Sequence, residues 1–307
     1  MEISQLRTIL HVAELGSLSK AADRLRIAQP ALSRQVRLLE DELGIRLFER
    51  HGRGMLVTEA GTAVLRHAAR ILAEMEEIRA TVADDDAPLR GLVSVGMPPT
   101  VSDILAEPLV SAFQARHPEA KIRLVSAYSG YLMDWLHRGD VDVAIMYETR
   151  PLRSLRTKPL LEEVLYLIGA PGSGLLPDQA LEFSALATRR LFLPSLGHGL
   201  RRIVEDCAAQ AGIALDVRVE ADSYSTLKAL VAAGHGHTIL PLAPIHADLA
   251  EGRLTFAPLL PAPTRRLMLT FPTDRQTPRL ARFAAQVISQ TATDLVGTGV
   301  WSGRLLT

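Results

Sequence analysis

Residues 16–53, GSLSKAADRLRIAQPALSRQVRLLEDELGIRLFERHGR, leave few folds open. Ser17 is a good N-cap for a short helix that contains Ala21 and Ala22 and stops near Arg26-Ile27-Ala28. A second helix restarts at Gln29-Pro30, where proline is tolerated because first-turn amides have no intrahelical partner. Two short helices across a tight turn, with small residues where they cross, make a helix-turn-helix. In the second helix Leu32, Val36, Leu39 and Leu43 share one face, the pattern of a buried stripe. Pro30, Ser33, Arg34 and Arg37 lie on the opposite side, with Gln29 at its edge and no acid until Glu40. An α-helix fits the major groove of duplex DNA, and its N-terminal residues are those that reach base edges. Behind it comes a basic loop, Arg50, His51 and Arg53 between Phe48 and Leu56, which reads as a β-wing. Two arginines on a helix would by themselves be a solvated face; set between this motif and a basic wing, they point to DNA.

The run AADRLRIAQPALSRQVRLLEDELGIRLFER resembles the N-terminal domain of LysR-type transcriptional regulators nearly throughout. Further on, SGYLMDWLHRGDVDVAIMY is similar to the nitrogen-assimilation-control branch of that family. The resemblance implies double-stranded promoter DNA with a near-palindromic site as a partner, RNA polymerase as a second, and a homodimer or homotetramer as the working form. It also implies an effector domain that senses a small molecule; the alternative is a regulator that acts without an inducer.

Charge tempers the DNA reading. The chain of 307 residues has 34 basic and 34 acidic side chains and no net charge, and residues 1–60 hold nine Lys and Arg against eight Asp and Glu. Any DNA contact therefore depends on where charges sit, not on how many there are. With 48% hydrophobic and 22% charged residues the composition is that of an ordinary soluble globular protein. No apolar run reaches the ~18–20 residues that span a bilayer, and MEISQLRTIL lacks the layout of a secretory signal. One cysteine, Cys207, permits no internal disulfide and no cysteine metal set. The expected location is the cytoplasm, with no membrane partner.

Residues 1–58 are expected to form an all-α winged helix-turn-helix domain, beginning with a helix over 2–15. Thr58 is a candidate N-cap for a long helix from Glu59 to Val82. In it Val64, Ala68, Ile71, Met75, Ile78 and Val82 alternate spacings of four and three, a seam suited to pairing with a second subunit or to packing on its own chain. The linker spans 59–88, and Asp84-Asp85-Asp86-Ala87-Pro88 reads as a flexible joint. From Gly91 strands and helices alternate, which argues for a parallel α/β sheet with ligands at the carboxyl ends of its strands. The expected fold is a two-lobed α/β domain like the type II periplasmic-binding proteins, also the effector fold of the resembled family. Lobe 1 takes 89–163 and 267–295 and lobe 2 takes 164–266, with crossovers near Glu162–Val164 and Arg266–Leu269. A tail, 296–307, has no helix pattern, and Trp301 in it is open to packing or to solvent.

Four strand-to-helix turns carry hydroxyls: Thr100 with Ser102, Ser129, Ser195 beside His198, and Ser223 with Ser225. Helix N-termini with free amides favour an anion, so these turns are candidates for a small organic anion held between lobes. Each hydroxyl is singly as well explained as an N-cap; it is the resemblance that gathers them into one cleft. Tyr147, ending a strand, is placed at the cleft mouth. His237 is a candidate hydrogen-bonding or pH-sensitive contact, with a structural role as the alternative. His235 and His237 lack an evident third ligand, so no metal is expected, nor any cofactor. Cys207 reads as an inert core thiol.

A transporter's solute-binding protein is opposed by the helix-turn-helix and by the absence of a signal segment. An enzyme is opposed by the lack of G-x-G-x-x-G, G-x-S-x-G, H-E-x-x-H or C-x-x-C, so no catalytic residue is assigned.

Overall fold

A computed structural model describes residues 1–52, 54–82, 88–148 and 152–306, and within 73–82 only some side chains. Arg53 and residues 84–87 of the expected joint lie outside the described residues. The chain forms two compact units, one of residues 1–92 with 119–121, the other of 93–118 with 122–307.

In the first unit α1 (Ile3–Leu15), α2 (Leu18–Leu25) and α3 (Gln29–Leu43) precede a hairpin of β1 (Phe48–His51) and β2 (Gly54–Val57), followed by α4 (Glu59–Val82). Ser17 caps α2 by accepting from Lys20 N, and Arg26 ends it in the left-handed region at φ 55°. Leu6, Ile9 and Val12 of α1 meet Ala21, Ala22, Leu32, Val36 and Leu39 in one core, which Leu47 and Phe48 close from the hairpin side. Leu43, expected on that buried face, is instead 37% exposed. Leu39 and the buried Glu40 finish the face one turn earlier. Thr58 caps α4 as expected, accepting from Gly61 N at 2.8 Å while its hydroxyl donates to Arg46 O at 2.7 Å.

The expected seam on α4 divides. Ala68 is buried and Val64 half-buried against the helix-turn-helix core, whereas Ile71 and Ile78 are 40% and 63% exposed. Met75 is half-buried, and the Val82 side chain lies outside the described ones.

The second unit is built from most of β3 (Gly91–Met97), α5 (Pro99–Arg116), most of β4 (Ala120–Ser126), α6 (Ser129–Arg138), β5 (Val143–Tyr147) and β6 (Leu155–Val164). Its second lobe holds β7 (Tyr166–Gly169), β8 (Leu181–Glu182), β9 (Arg190–Leu193), α7 (Gly199–Gln210), β10 (Asp216–Glu220), α8 (Tyr224–Ala232), β11 (Thr238–Leu240), α9 (His246–Ala250), β12 (Thr255–Ala257) and β13 (Leu259–Leu260). The chain then returns through β14 (Thr264–Pro272) and ends with α10 (Arg279–Gly297) and β15 (Gly303–Leu305).

The first lobe is a six-stranded sheet in the order β15-β6-β14-β5-β3-β4. It is mixed, not parallel: β3 and β5 run parallel, but β14 is antiparallel to both β5 and β6. The reason is topological. A strand returning from the second lobe enters the sheet from the end where β6 leaves it, so it must run the opposite way. The second expected crossover, 266–269, accordingly lies inside β14, which is already paired at Thr264 with Val164. In the second lobe β7 sits antiparallel between β11 and β12, and β9 pairs in parallel with β10.

The tail is part of the sheet. β15 pairs antiparallel with β6, and Trp301 is 1% exposed, its indole N–H donating to Glu163 Oε2 at 2.9 Å.

Candidate functional site

The outward face of α3 is built from both sides. Leu32, Val36 and Leu39 hold its inner face in the core, which leaves Gln29, Pro30, Arg34 and Arg37 exposed and Ser33 half-buried. Ser19 on α2 donates to Gln29 Oε1 at 3.2 Å, and Thr8 on α1 donates to Gln35 Oε1 at 2.5 Å. These bonds fix the first turns of α3 against both other helices, and a rigid helix terminus is what reading a base edge requires. Arg50 is exposed on β1; Arg53 lies outside the described residues.

Glu40, at first only the acid that ends the basic face, holds the hairpin. Its Oε1 accepts from Leu47 N at 2.7 Å and Phe48 N at 3.2 Å, and its Oε2 pairs with Arg46 at 3.0 Å. A buried carboxylate thus satisfies two amides at the root of β1, which sets where the wing leaves α3. At the far side Gly54 adopts φ 139°, and Met55 N donates to Gly16 O at 2.8 Å. A Cβ on Gly54 would collide with that same carbonyl, so the wing is pinned at both ends.

In the second unit a cavity lies at the carboxyl ends of β3, β5, β9 and β11, between the two lobes. The first lobe contributes Pro98, Pro99 and Thr100 ahead of and within α5, Tyr128 before α6, Tyr147 at the end of β5, and Arg265 near the start of β14. From the second come Pro194, His198, Leu200, Asp222, Tyr224, Leu227 and Leu240. The void these side chains leave is about 30 Å³. That exceeds the ~10–15 Å³ that a single water needs, and it is far below the ~300 Å³ of a ligand pocket.

Its first-lobe wall is a connected network. Thr100 Oγ1 lies 2.9 Å from Tyr147 Oη, and Arg265 Nη2 donates to Thr100 Oγ1 at 3.4 Å. The Arg265 guanidinium also stacks on the Tyr147 ring, 3.9 Å from its centroid. Arg265 Nε donates to Glu163 Oε1, the cross-strand neighbour on β6, and Trp301 takes the other oxygen. Burial raises the Tyr147 phenol above its usual range, with Arg265 opposing, so it stays a neutral donor.

Across the cavity, Tyr128 O–H donates to Asp222 O, a bond from one lobe to the other. His198 meets the Tyr128 ring edge-on, centroids 4.8 Å apart, and its Nδ1 accepts from Leu200 N at 3.1 Å. That bond places the remaining ring proton on Nε2. Burial, then Arg265, lowers the His198 pKa, while Asp222 raises it. Ser195 donates twice to Asp222 Oδ1, from N at 2.9 Å and from Oγ at 2.8 Å. Those bonds, the backbone one first, hold the Asp222 carboxyl below the usual range.

Of the expected cleft residues, Thr100, Tyr147 and His198 line this cavity. Ser129 and Ser195 stand one step behind it: Ser129 Oγ accepts from Tyr147 N at 3.2 Å, and Ser195 orients Asp222. Ser223 caps α8 by accepting from Thr226 N and shares a hydrogen bond with Ser225, so these two serve the helix end. Ser102, half-buried on α5, does not line the cavity. His237 is elsewhere. Its backbone bridges in parallel to Leu191, and its Nε2 meets Arg189 at 3.2 Å, at the amino ends of β9 and β11 and away from the cavity. The residues that sequence reasoning missed are Arg265, Tyr128 and Asp222. Arg265 left a signal: it has the strand parity of Leu267 and Leu269, a charge on the inward side of β14.

Among the described residues no group of three His, Cys, Asp or Glu is placed to hold a metal ion. Cys207 packs half-buried on the second lobe's core, its thiol pKa raised by burial and then by Asp206. No described helix is long and apolar enough to cross a membrane.

A model of the LysR substrate binding domain matches residues 86–292, and a model of bacterial regulatory helix-turn-helix proteins of the lysR family matches residues 3–62. The chain is 35% identical over 242 residues to the nitrogen assimilation regulatory protein nac of Klebsiella aerogenes, covering 78% of each. It is 30% identical over 305 residues to the HTH-type transcriptional regulator BbuR of Bordetella bronchiseptica, 99% of this chain and 94% of that one. Among solved structures, a cysteine mutant of Corynebacterium glutamicum OxyR aligns at a TM-score of 0.70 and 27% identity, over 97% of this chain and 95% of that one. Full-length CbnR complexed with its target DNA is similar in fold, at a TM-score of 0.62, 24% identity, and 95% and 100% coverage.

Proposed function

The chain belongs to the LysR family of DNA-binding transcriptional regulators, with an effector-binding domain after its helix-turn-helix, and from that premise we propose how it works. Two copies pair through the exposed half of the α4 seam, Ile71 and Ile78, and present two α3 helices to a near-palindromic promoter site. Gln29, Pro30, Ser33, Arg34 and Arg37 face the major groove, while Arg50 and Arg53 of the wing meet backbone or minor groove. Pairs of dimers form a tetramer in the cytoplasm, and its contact with RNA polymerase changes with effector state. The effector is a small molecule with an anionic group, bound by Thr100, Tyr147 and Arg265 from one lobe and His198 from the other.

The observation that carries the DNA reading is the one-signed, solvent-facing first half of α3 on a helix locked by Gln29 and Gln35. Arg34→Ala is expected to cost about 1–3 kcal/mol on the specific site and to relax preference at one base position. Arg50→Ala is expected to weaken specific and scrambled duplexes evenly. Gel-shift titrations that show both variants unchanged would sink the groove assignment. Ile71→Asp, which buries an unpaired carboxylate in the seam, is expected to give monomers by light scattering.

One observation favours a second reading, a regulator that needs no inducer. The void is about 30 Å³ and Tyr128 already bridges the lobes to Asp222. In that reading the protein's own side chains occupy the place of an effector.

A further inference from the structure

The charges that face the cavity are unequal to the task of holding a simple anion. Among the described residues that line it Arg265 is the one cation, and Glu163, 2% exposed, already compensates it from behind. Asp222 adds a carboxylate on the opposite wall. A lone carboxylate would therefore gain a guanidinium that has a counter-ion and pay the repulsion of Asp222. A lone amine would gain Asp222 and meet Arg265. A ligand with both charges satisfies both walls.

We propose that the cleft takes a compact zwitterion, an aliphatic α-amino acid, with its carboxylate toward Arg265 and Thr100 and its ammonium toward Asp222. The proposal rests on the ligand-sensing reading above and narrows its ligand class.

The donors and acceptors match that orientation. On the first wall, Thr100 and Tyr147 hold two hydroxyl protons and spend one on their mutual bond, leaving one to give. Thr100 also lies in the first turn of α5, where backbone N–H groups have no intrahelical acceptor. Both Ser195 bonds fall on Asp222 Oδ1, so Oδ2 has no bond among the described residues. Among the described residues the Asp222 carbonyl accepts from Tyr128 alone, whose hydroxyl is the group an ammonium would displace. The rest of the lining, Pro98, Pro194, Leu227 and Leu240 among it, is apolar and suits an uncharged side chain. His198 offers a neutral Nε2–H and adds no charge to the balance.

The test uses the full chain and needs no variant at first. L-alanine, L-valine and L-leucine are compared with their acids lacking the amine and their amines lacking the carboxylate, by calorimetric titration and melting shift. At least one amino acid is expected to bind about tenfold or more tightly than both of its analogues. Asp222→Asn is then expected to abolish the preference over the acid, weakening the amino acid by the lost ion pair and strengthening the acid by the lost repulsion. An acid that binds as tightly as its amino acid overturns the zwitterion and leaves an anion-sensing cleft standing. Silence from every compound overturns the proposal together with the sensing reading, in favour of a regulator without inducer.

Discussion

Neighbouring glutamates on β6 provide a sharp test of how the cleft wall is held. Glu163 and Arg265 form a buried ion pair, their side chains 2% and 4% exposed. One residue earlier, and on the other side of the strand, Glu162 pairs with Arg266 at 3.0 Å and Arg304 at 2.9 Å, arginines that are 48% and 72% exposed. By count of charged contacts Glu162 looks the more important. Physical reasoning ranks them the other way. Exposed pairs contribute about 0–1 kcal/mol each, because water screens the charges and ordering long side chains costs entropy. Removing one partner of a buried pair costs about 3–5 kcal/mol, because the survivor is left charged in a medium that solvates it poorly.

Glu163→Gln keeps the shape and removes the charge. For a unit of this size about 2–4 °C of melting temperature accompanies each kcal/mol, so a fall of about 6–20 °C is expected. Glu162→Gln is expected to lower it by a few degrees at most. Trp135 and Trp301 both belong to the second unit, so tryptophan fluorescence follows its unfolding selectively. The double variant Glu163→Leu with Arg265→Met is expected to recover much of the loss, short of the Trp301 N–H left without an acceptor. Equal melting losses for Glu162→Gln and Glu163→Gln would refute the reasoning, as would a double variant no better than the single one.

Glu40→Ala is expected to cost about 1–3 kcal/mol by freeing two amides at the root of the hairpin, seen as a lower far-ultraviolet melting midpoint of the N-terminal unit. DNA affinity should fall evenly across sequences, since the wing and not α3 loses its anchor. His117, His198 and His237 all have pKa values lowered from 6.5, burial being the largest cause for each. Between those values and 6.5 the unfolded chain binds more protons than the folded one. Their contribution is therefore whole above about pH 6.5 and lost as pH falls through the folded values. Urea midpoints of the second unit at about pH 7.5 and pH 5 should decrease in that order, and a rise would contradict the burial account.

How much of this was legible in the sequence depends on the range of each interaction. The helices of the first unit were readable because their signals are local: Ser17 as a cap, the four-and-three spacing of Leu32, Val36 and Leu39, Thr58 ahead of a long amphipathic run. Glu40 was not, because the amides it satisfies lie seven and eight residues on and become neighbours only after the chain turns at Gly44. The seam of α4 was legible as a pattern but not in its use, since periodicity shows that a face is apolar and not which surface covers it. In the cleft, the hydroxyl-bearing turns were legible, but most of their hydroxyls do not line the cavity. Ser129, Ser195 and Ser223 spend their hydrogen bonds on Tyr147, Asp222 and α8. His237 lies off the cavity, and spacing along a strand cannot tell its amino end from the carboxyl end where the cavity opens. Arg265 carried the one readable clue, a charge with inward parity.

That arginine also bears on how a ligand could act at a distance. β6 and β14 are the two strands by which the chain passes between lobes, and Arg265 and Glu163 are cross-strand partners near that passage. A ligand shifts the population of open and closed forms only by its difference in affinity for them. Thr100, Tyr147 and Arg265 face it from one lobe, and His198 and Asp222 from the other, so a full set of contacts requires closure. The Tyr128 bond to Asp222 makes the same demand without a ligand. It competes for the ammonium's place and stabilises the closed form, and so it reduces the advantage any ligand can have. On the proposed reading, that hydroxyl helps to set the balance between an inducible regulator and an autonomous one. Replacing Tyr128 with Phe removes the O–H donor and keeps the ring against His198. In the inducible case this variant binds the right amino acid more tightly and changes its DNA footprint only when that ligand is added. In the autonomous case its footprint differs from that of the original chain with nothing added. A Tyr128→Phe protein with the original footprint and an unaltered response to every compound would show that the interlobe bond has no part in regulation.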